Sequence, residues 1–440
     1  MSDVDRLLAK LAAGTGRVGV IGLGYVGLPL ALEFCRAGVS VLGFDIDPEK
    51  VEKLRAGETY ISDIPSESIA SAVKKGRLDA TADPDRLGEP DALCICVPTP
   101  LTPTRDPDLS FVVGTVETIA ARLRPGQLVV LESTTYPGTT REEVLPRLEA
   151  TGLRVGVDFC CGYAPERVNP GASDPPFSQV PRVVSGITDA CLKATKALYD
   201  TIVTRTIPVS SPEVAEMAKL LENIFRATNI SMVNELKMIC LRMGVDIWEV
   251  IKAASTKPFG FMPFQPGPGL GGHCIPIDPF YLSWRARAFG VNARFIELAG
   301  EINAQMPDFV VQRIMEALNS QAKPLKGSRI LVLGASYKPN VGDVRESPAI
   351  RIMELLQRGG AEVRYNDPWV SRIPRMRHST VSLASVELTE AELRDADCVV
   401  IATNHDAYDY DHIVRNAKLI VDTRNATEGV LEGREKVWKA

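Results

Sequence analysis

Apolar residues along the chain recur at two spacings, and the switches between them divide the sequence. In the first half, short apolar or β-branched runs at residues 17–21, 39–44, 92–97, 128–132, 158–161 and 182–185 have the length and composition of buried strands. Between the first two lies 28–37, whose apolar positions follow a helical period until Gly38 stops it, and Pro48–Ala56 reads as the next helix. Strands alternating with helices in this way form a parallel sheet covered by helices.

The middle of the chain is different. Ser210-Ser211-Pro212-Glu213 combines a capping serine, an early proline and an early acid, the marks of a helix start. No Gly or Pro then interrupts the 32 residues from Pro212 to Met243, which would make a helix of about 48 Å. Apolar on most faces, it suits a spine between domains and a contact with a second copy. A further helix at 246–254 precedes 257–279, a stretch crowded with Pro and Gly and too long for a plain connection. After a linker at 321–326, Arg329–Leu333, 362–365, 398–402 and 419–422 read as strands, with Pro348–Arg358 a helix between the first two. The expected layout is α/β, spine, α/β, with parts at 1–209, 210–320 and 321–440.

Composition narrows the function classes. Fifty basic and 55 acidic residues give a net charge of −5, which argues against a dedicated nucleic-acid binder. The N-terminal segment is a short amphipathic helix with Asp3 and Asp5, not a signal peptide, and no membrane span is expected. Nine irregularly spaced cysteines without a CxxC pair, and only four histidines, imply a reduced cytoplasmic protein with neither a disulfide framework nor a metal site.

Two motifs carry chemistry. Gly22-Leu23-Gly24-Tyr25-Val26-Gly27 is a GxGxxG between a strand and a helix, with Asp45 18 residues past the last glycine. This is the dinucleotide fingerprint: glycines for the turn, the approach of a pyrophosphate and helix packing, then an acid for the ribose hydroxyls. An acid at 45 favours NAD over NADP. The second motif is Gly269-Leu270-Gly271-Gly272-His273-Cys274, within the Pro/Gly-rich loop. A thiol in a bent polar backbone is a candidate nucleophile if a cation lowers its pKa. The other eight thiols fall in expected strands or helices and read as inert packing, and His273 is as readily structural as catalytic.

Further polar groups cluster by position. Glu216, Lys219, Asn223 and Arg226 form one stripe on the spine helix, either aimed at a ligand or built on an internal Glu216–Lys219 pair. Ser133-Thr134 and Tyr163-Ala164-Pro165-Glu166-Arg167 follow strands, where ligand crevices form. Lys338, Asp343, Arg345 and Glu346 follow the 329–333 strand without a second GxGxxG, a loop suited to a phosphorylated substrate.

Taken with Pro165-Glu166, Lys219 with Asn223, Gly271-Gly272-His273-Cys274 with Asp278, and Lys338 with Arg345, the chain from residue 17 to about 425 resembles the nucleotide-sugar dehydrogenase family. The resemblance implies two Rossmann-like, doubly wound α/β domains joined by a long central helix. It also implies NAD-dependent four-electron oxidation of a sugar C6 alcohol to a carboxylate. By resemblance, Cys274 forms a thiohemiacetal and then a thioester, and Lys219 and Asn223 stabilise the oxyanion. Glu166 and Thr134 would hold or activate water, and Asp278 would support water or Lys219 from nearby. Gly22, Gly24, Tyr25, Val26, Gly27, Asp45, Lys50, Thr99, Ser133 and Arg345 would hold NAD. Arg167, Asn169, Gln265, Gly267, Gly269, Gly271, Lys338 and Arg424 would hold a UDP-sugar.

The runs 257–264, 266–269 and 273–279 look like the branch of that family acting on UDP-N-acetylglucosamine. UDP-glucose and UDP-N-acetylgalactosamine remain alternative substrates, since every catalytic residue would be shared. A two-electron dehydrogenase would not need Cys274, and a non-catalytic binding protein would not need Cys274 and Lys219. The family also implies a homodimer or higher homo-oligomer.

Overall fold

Eight short strands build the first sheet: β1 (Val18–Ile21), β2 (Val41–Phe44), β3 (Leu78–Thr81), β4 (Ala92–Ile95), β5 (Leu128–Leu131), β6 (Cys160–Tyr163), β7 (Arg182–Gly186) and β8 (Thr206–Pro208). They lie in the order β3-β2-β1-β4-β5-β6-β7-β8. This computed structural model describes residues 2–61, 64–102, 104–167, 175–272, 274–376 and 379–440. The sheet belongs to the first of two units, Met1–Glu222 with Phe280–Asn292; the second is Asn223–Pro279 with Ala293–Ala440.

The first sheet is parallel except at one step. Tyr163 pairs with Ser185 across an antiparallel β6–β7 ladder, a departure from the all-parallel expectation. Strand β1 pairs with β2 on one side and β4 on the other, so the chain order reverses there and opens a crevice at the carboxyl ends. Side chains alternate between two cores. On β4, Ala92 and Cys94 join Val18, Val20 and Phe34, while Leu93 and Ile95 join Leu42, Val129 and Leu131. Burial on both faces explains why these strands read as continuous apolar runs. Strands β3 and β8 escaped the pattern because the half-exposed Asp79 interrupts the one and the other is three residues ending in Pro208.

The second unit holds β9 (Arg329–Leu333), β10 (Glu362–Asn366), β11 (Cys398–Ile401), β12 (Ile420–Asp422) and β13 (Val437–Lys439). They form a parallel sheet in the order β10-β9-β11-β12-β13. Its companion helix Arg294–Ser320 runs 27 residues through an internal Pro307. An internal proline normally costs about 3 kcal/mol, which hid this helix from pattern reading. The ring removes the donor that would have reached the Asn303 carbonyl. That carbonyl lies 3.3 Å from where a side chain on Gly269 would begin, so the Pro/Gly-rich loop packs against the break.

The spine helix Pro212–Met243 is present over its whole expected length and passes from the first unit into the second. Val214, Met217, Leu221, Phe225, Met232, Leu236, Ile239 and Met243 are exposed along it, at spacings of three, four and seven residues. Among the described residues, no helix is long and apolar enough to cross a membrane.

Candidate functional site

The glycine turn after β1 has the geometry its chemistry requires. Gly22 sits at φ +88°, and a Cβ there would stand 2.7 Å from the Cys96 carbonyl oxygen. Gly27, the first residue of the helix Gly27–Arg36, packs so closely that a Cβ would run into the Gly22 carbonyl. Gly24 faces open space, and no side chain caps this helix at Val26. An uncapped helix end beside an open glycine is suited to a diphosphate. Asp45 accepts from the Leu23 N–H at 3.0 Å and from Lys50 Nζ at 3.3 Å through Oδ2, and from the Asp47 N–H at 3.0 Å through Oδ1. Oδ2 carries two of these bonds and Oδ1 one, so Oδ1 keeps a lone pair for a ribose hydroxyl and these residues fit a bound NAD. Tyr25 and Val26 are half-buried, Thr99 is buried, and Ser133 Oγ donates to the Val97 carbonyl at 2.7 Å.

The carboxyl ends of β5 and β6 bring acids and bases together in the same unit. Glu166 accepts from its neighbour's backbone, Arg167 N–H to Oε1 at 2.7 Å, and from Arg182 Nη1 to Oε2 at 2.6 Å. The Arg167 side chain donates to the Pro181 carbonyl and pairs with Glu222, both at 2.7 Å. Thr134 and Lys219 are half-buried. Glu216, however, turns away from the stripe. Its fully buried carboxylate accepts from Gly138 N–H at 2.6 Å, Thr140 N–H at 2.9 Å and Thr140 Oγ1 at 2.7 Å. Burial nevertheless pushes its pKa up to about 7. Arg226 is exposed, so the stripe narrows to Lys219 and Asn223, one turn apart.

The second unit holds the cysteine loop. Cys274 is half-buried, and its carbonyl accepts from the Asp278 N–H at 2.8 Å and the Ile277 N–H at 3.1 Å. The buried Asn223 amide donates to Asp278 Oδ2 at 2.5 Å. That bond fixes the amide plane and leaves the second Nδ2–H for another acceptor. Behind the loop, Gly267 N–H donates to Asn234 Oδ1 and Lys237 Nζ donates to the Gly267 carbonyl, each at 2.9 Å. The Arg424 guanidinium fills the space a side chain at 267 would need, with its Nε on the Ala402 carbonyl at 3.0 Å. A Cβ at Gly271 would meet the Tyr337 Cβ at 2.6 Å and the Glu346 carbonyl oxygen at 3.0 Å. Gly269 is buried, Gln265 is exposed, and Lys338 Nζ lies 5.6 Å from the centroid of the Tyr337 ring. Arg345 belongs to this unit, unlike the other expected NAD contacts; it clasps Asp343, and its carbonyl accepts from Gly272 N–H at 3.0 Å. Asn169 and His273 lie outside the described residues.

Sequence reasoning missed several groups. Lys237 is 3% exposed, and burial, with Arg424 adding repulsion, lowers its pKa to about 7. Asn234 sits three turns beyond Asn223, and Lys237 one turn further, a continuation of the polar stripe that the spacing contained. Glu132, Arg182 and Tyr199 were hidden inside apolar runs. Cys191 is fully buried, and hydrogen bonds from Cys160 and from Thr188 lower its pKa against burial.

Comparison with known proteins bears on all three segments. The NAD binding domain of the UDP-glucose/GDP-mannose dehydrogenase family matches residues 16–203, its central domain 213–305 and its UDP binding domain 331–429. A UDP-N-acetyl-D-glucosamine 6-dehydrogenase of Pseudomonas aeruginosa is 39% identical over 357 residues, 81% of this chain and 83% of that protein. A UDP-N-acetyl-D-mannosamine dehydrogenase of Pyrococcus horikoshii is 35% identical over 416 residues, 93% of this chain and 95% of that one. The solved structure of a UDP-D-ManNAc dehydrogenase from Pyrococcus horikoshii aligns with a TM-score of 0.85 at 34% identity, covering 93% of this chain and 96% of its own. An NDP-N-acetyl-D-galactosaminuronic acid dehydrogenase from Methanosarcina mazei aligns at 0.80 and 30% identity, over 100% of this chain and 97% of its own. With two Rossmann-like domains, a central helix and a dinucleotide turn of the required shape, the chain belongs to the UDP-glucose/GDP-mannose dehydrogenase family, NAD-dependent oxidoreductases of sugar nucleotides.

Proposed function

We propose that the chain oxidises the C6 hydroxyl of UDP-N-acetylglucosamine to the carboxylate through a covalent thioester on Cys274. The observation that carries this reading is the Cys274–Asp278–Asn223 arrangement: the thiol-bearing turn is tied to Asp278, and Asp278 orients the Asn223 amide at 2.5 Å. A two-electron oxidation of an alcohol would use no such thiol.

NAD, when bound, accepts hydride; Asp45, Lys50, Thr99, Ser133 and the turn from Gly22 to Gly27 would hold it, with Arg345 as a further contact. The chain's residues do the rest. Cys274 thiolate adds to the C6 aldehyde, and the Asn223 amide and Lys219 ammonium stabilise the oxyanion that forms. Oxidation of that adduct leaves a thioester. Glu166, with Thr134, takes a proton from the water that attacks the thioester carbonyl, and the thiolate departs as the carboxylate forms. Asp278 keeps Asn223 aligned. Arg167, Asn169, Lys338, Arg424 and the segment containing Gln265, Gly267, Gly269 and Gly271 hold the UDP-sugar. The functional parts are then 1–209 for NAD, 210–320 for the central helix and nucleophile, and 321–440 for UDP.

The 39% identity to a UDP-N-acetyl-D-glucosamine 6-dehydrogenase and the runs around Cys274 support the N-acetylglucosamine substrate. The 35% identity to a UDP-N-acetyl-D-mannosamine dehydrogenase makes the C2 epimer the competing reading. We also propose a cytoplasmic homodimer or higher oligomer formed through the spine helix, whose exposed Leu221, Phe225, Leu236 and Ile239 offer an apolar stripe to a second copy. The test is NADH yield across UDP-sugars differing at C2 and C4. Two NADH per UDP-N-acetylglucosamine, with slower turnover of its epimers, is expected. One NADH per sugar overturns the thioester route, and faster turnover of an epimer overturns the substrate.

A further inference from the structure

The Glu132–Arg182–Glu166 cluster lies in the first unit and no step above uses all of it. Arg182 is 2% exposed and Glu132 is 1% exposed. One guanidinium serves both acids: Nη1 donates to Glu166 Oε2 at 2.6 Å, while Nη2 donates to Glu132 Oε2 and, at 3.2 Å, to the Ala164 carbonyl. The guanidinium carbon lies 4.9 Å from the centroid of the Tyr199 ring, and the Tyr199 hydroxyl donates to Glu132 Oε1.

The cluster depends on the reversed end of the sheet, where β7 and its parallel neighbour β8 run against the other six strands. Gly162 pairs with Gly186 and Tyr163 with Ser185 across the antiparallel β6–β7 ladder. Continuing that register puts residue 166 opposite residue 182. A parallel strand at this place would start at the other edge of the sheet, away from Glu166. Two acids thus share one buried base. Buried ion pairs of this kind add little or nothing to stability over apolar packing. What the arrangement does achieve is orientation, since both Glu166 oxygens are held, Oε1 by Arg167 N–H and Oε2 by Arg182.

We propose that Arg182, clamped by Glu132 and Tyr199, is a positioning residue that holds the Glu166 carboxylate in its water-handling orientation. The inference rests on the reading of Glu166 as the group that handles water. The charges that reach Glu166 include Arg182 on β7, Glu132 after β5, and Glu33 on the Gly27–Arg36 helix, whose own pKa Glu166 helps to raise. Arg167 adds its backbone N–H and its ion pair with Glu222. Cys94, Cys96 and Tyr199 interact with Glu132 and Arg182, and burial raises the pKa of all three. Burial pushes Glu132 up to about 7, opposed by Arg182 and assisted by Glu166, so its charge varies in the working range of pH and bears on Glu166 through the shared guanidinium.

The test separates the two halves of turnover in the full-length enzyme with NAD and UDP-N-acetylglucosamine. Arg182→Lys keeps the charge but loses the planar fork that holds the two carboxylates in fixed orientation. It should slow steady-state turnover by ~10–100-fold, the scale of a misplaced general base, while the first burst of NADH and the KM for the sugar stay near normal. Intact-protein mass spectrometry should then find an acyl adduct on Cys274. Tyr199→Phe keeps the ring and removes only the hydroxyl on Glu132; it should give the same adduct with a milder slowing, and it carries the test if Arg182→Lys fails to fold. Glu132→Gln should move the acid limb of the steady-state rate to lower pH. Glu166→Gln is the control. An adduct with Glu166→Gln but none with either Arg182→Lys or Tyr199→Phe overturns the positioning role alone. No adduct with any of the three overturns the reading of Glu166, and the positioning role with it.

Discussion

Lys237→Met is expected to make the protein more stable and less active, and the structure fixes the direction of each effect. Burial lowers the Lys237 pKa from 10.5 to about 7. Each tenfold loss of proton affinity is about 1.4 kcal/mol, so holding this ammonium in the folded chain costs roughly 5 kcal/mol wherever both states are protonated, at or below pH 7. Between pH 7 and 10.5 the unfolded chain binds a proton that the folded chain does not, so stability rises with pH and the cost fades. Methionine removes the charge. It also removes the hydrogen bond to the Gly267 carbonyl, a loss of about 1.5–3 kcal/mol for a charged donor. The side chain lines a cavity of about 220 Å³ bounded by Leu241, Val245, Trp248 and Lys439, so the thioether meets no overpacking. The balance is a gain of roughly 2–3 kcal/mol near pH 7 that shrinks to nothing, or reverses, near pH 10. Urea midpoints at pH 6.5, 8 and 10, followed by tryptophan fluorescence, read this directly, because three of the four tryptophans (Trp248, Trp369 and Trp438) lie in the second unit with Lys237. Activity should move the other way: with the Gly267 carbonyl released, the KM for the nucleotide sugar should rise about tenfold, as for one lost buried hydrogen bond. Wild-type and variant stabilities that stay parallel across pH would refute the reasoning.

Cys274→Ala should abolish carboxylate formation while calorimetry still shows UDP-sugar binding; four-electron turnover by that variant would remove the thioester. Asp45→Ala should raise the KM for NAD by about 10–100-fold and leave sugar binding unchanged, since a carboxylate holding a diol is worth about 1.5–3 kcal/mol. Gly271→Ala should raise the sugar KM and lower the thermal midpoint, because a methyl 2.6 Å from Tyr337 forces an overpacking cost of about 1–3 kcal/mol. Leu221→Glu on the exposed stripe should shift the sedimentation coefficient toward monomer; an unchanged assembly would move the interface elsewhere.

Much of this was legible in the sequence, for physical reasons. The crevice strands bury both faces, so β1, β2, β4 and β5 announce themselves as apolar runs, and the glycine turn between β1 and its helix has no other economical use. The spine helix was legible because its 32 residues lack any breaker. What stayed hidden falls into two kinds. The 27-residue helix Arg294–Ser320 was masked by Pro307, whose cost is tolerated where the loop at Gly269 packs against the freed carbonyl. The acids and bases behind the site were masked by burial: Glu132 and Arg182 sit at the ends of apolar strands, and pairing across an antiparallel step cannot be read from spacing. Glu216 took neither course left open for its stripe, a ligand or a pair with Lys219, and binds the backbone at Gly138 and Thr140.

The division of the chain also bears on its synthesis. The first unit needs Phe280–Asn292, which is complete only seventy residues after its main segment ends at Glu222. This returning piece is not decoration: Trp284 lies 5.1 Å from the Tyr136 ring, and the Tyr281 hydroxyl donates to the Pro100 carbonyl at 3.3 Å. On a ribosome adding about 5–20 residues per second, the eight-stranded sheet therefore waits some ~4–14 s for its last helix while the nascent chain spells out the cysteine loop. A stop codon at the apparent boundary would release a sheet lacking that helix. An isolated NAD-binding fragment calls for a permuted gene, with 280–292 joined back onto the first 222 residues, rather than a simple truncation.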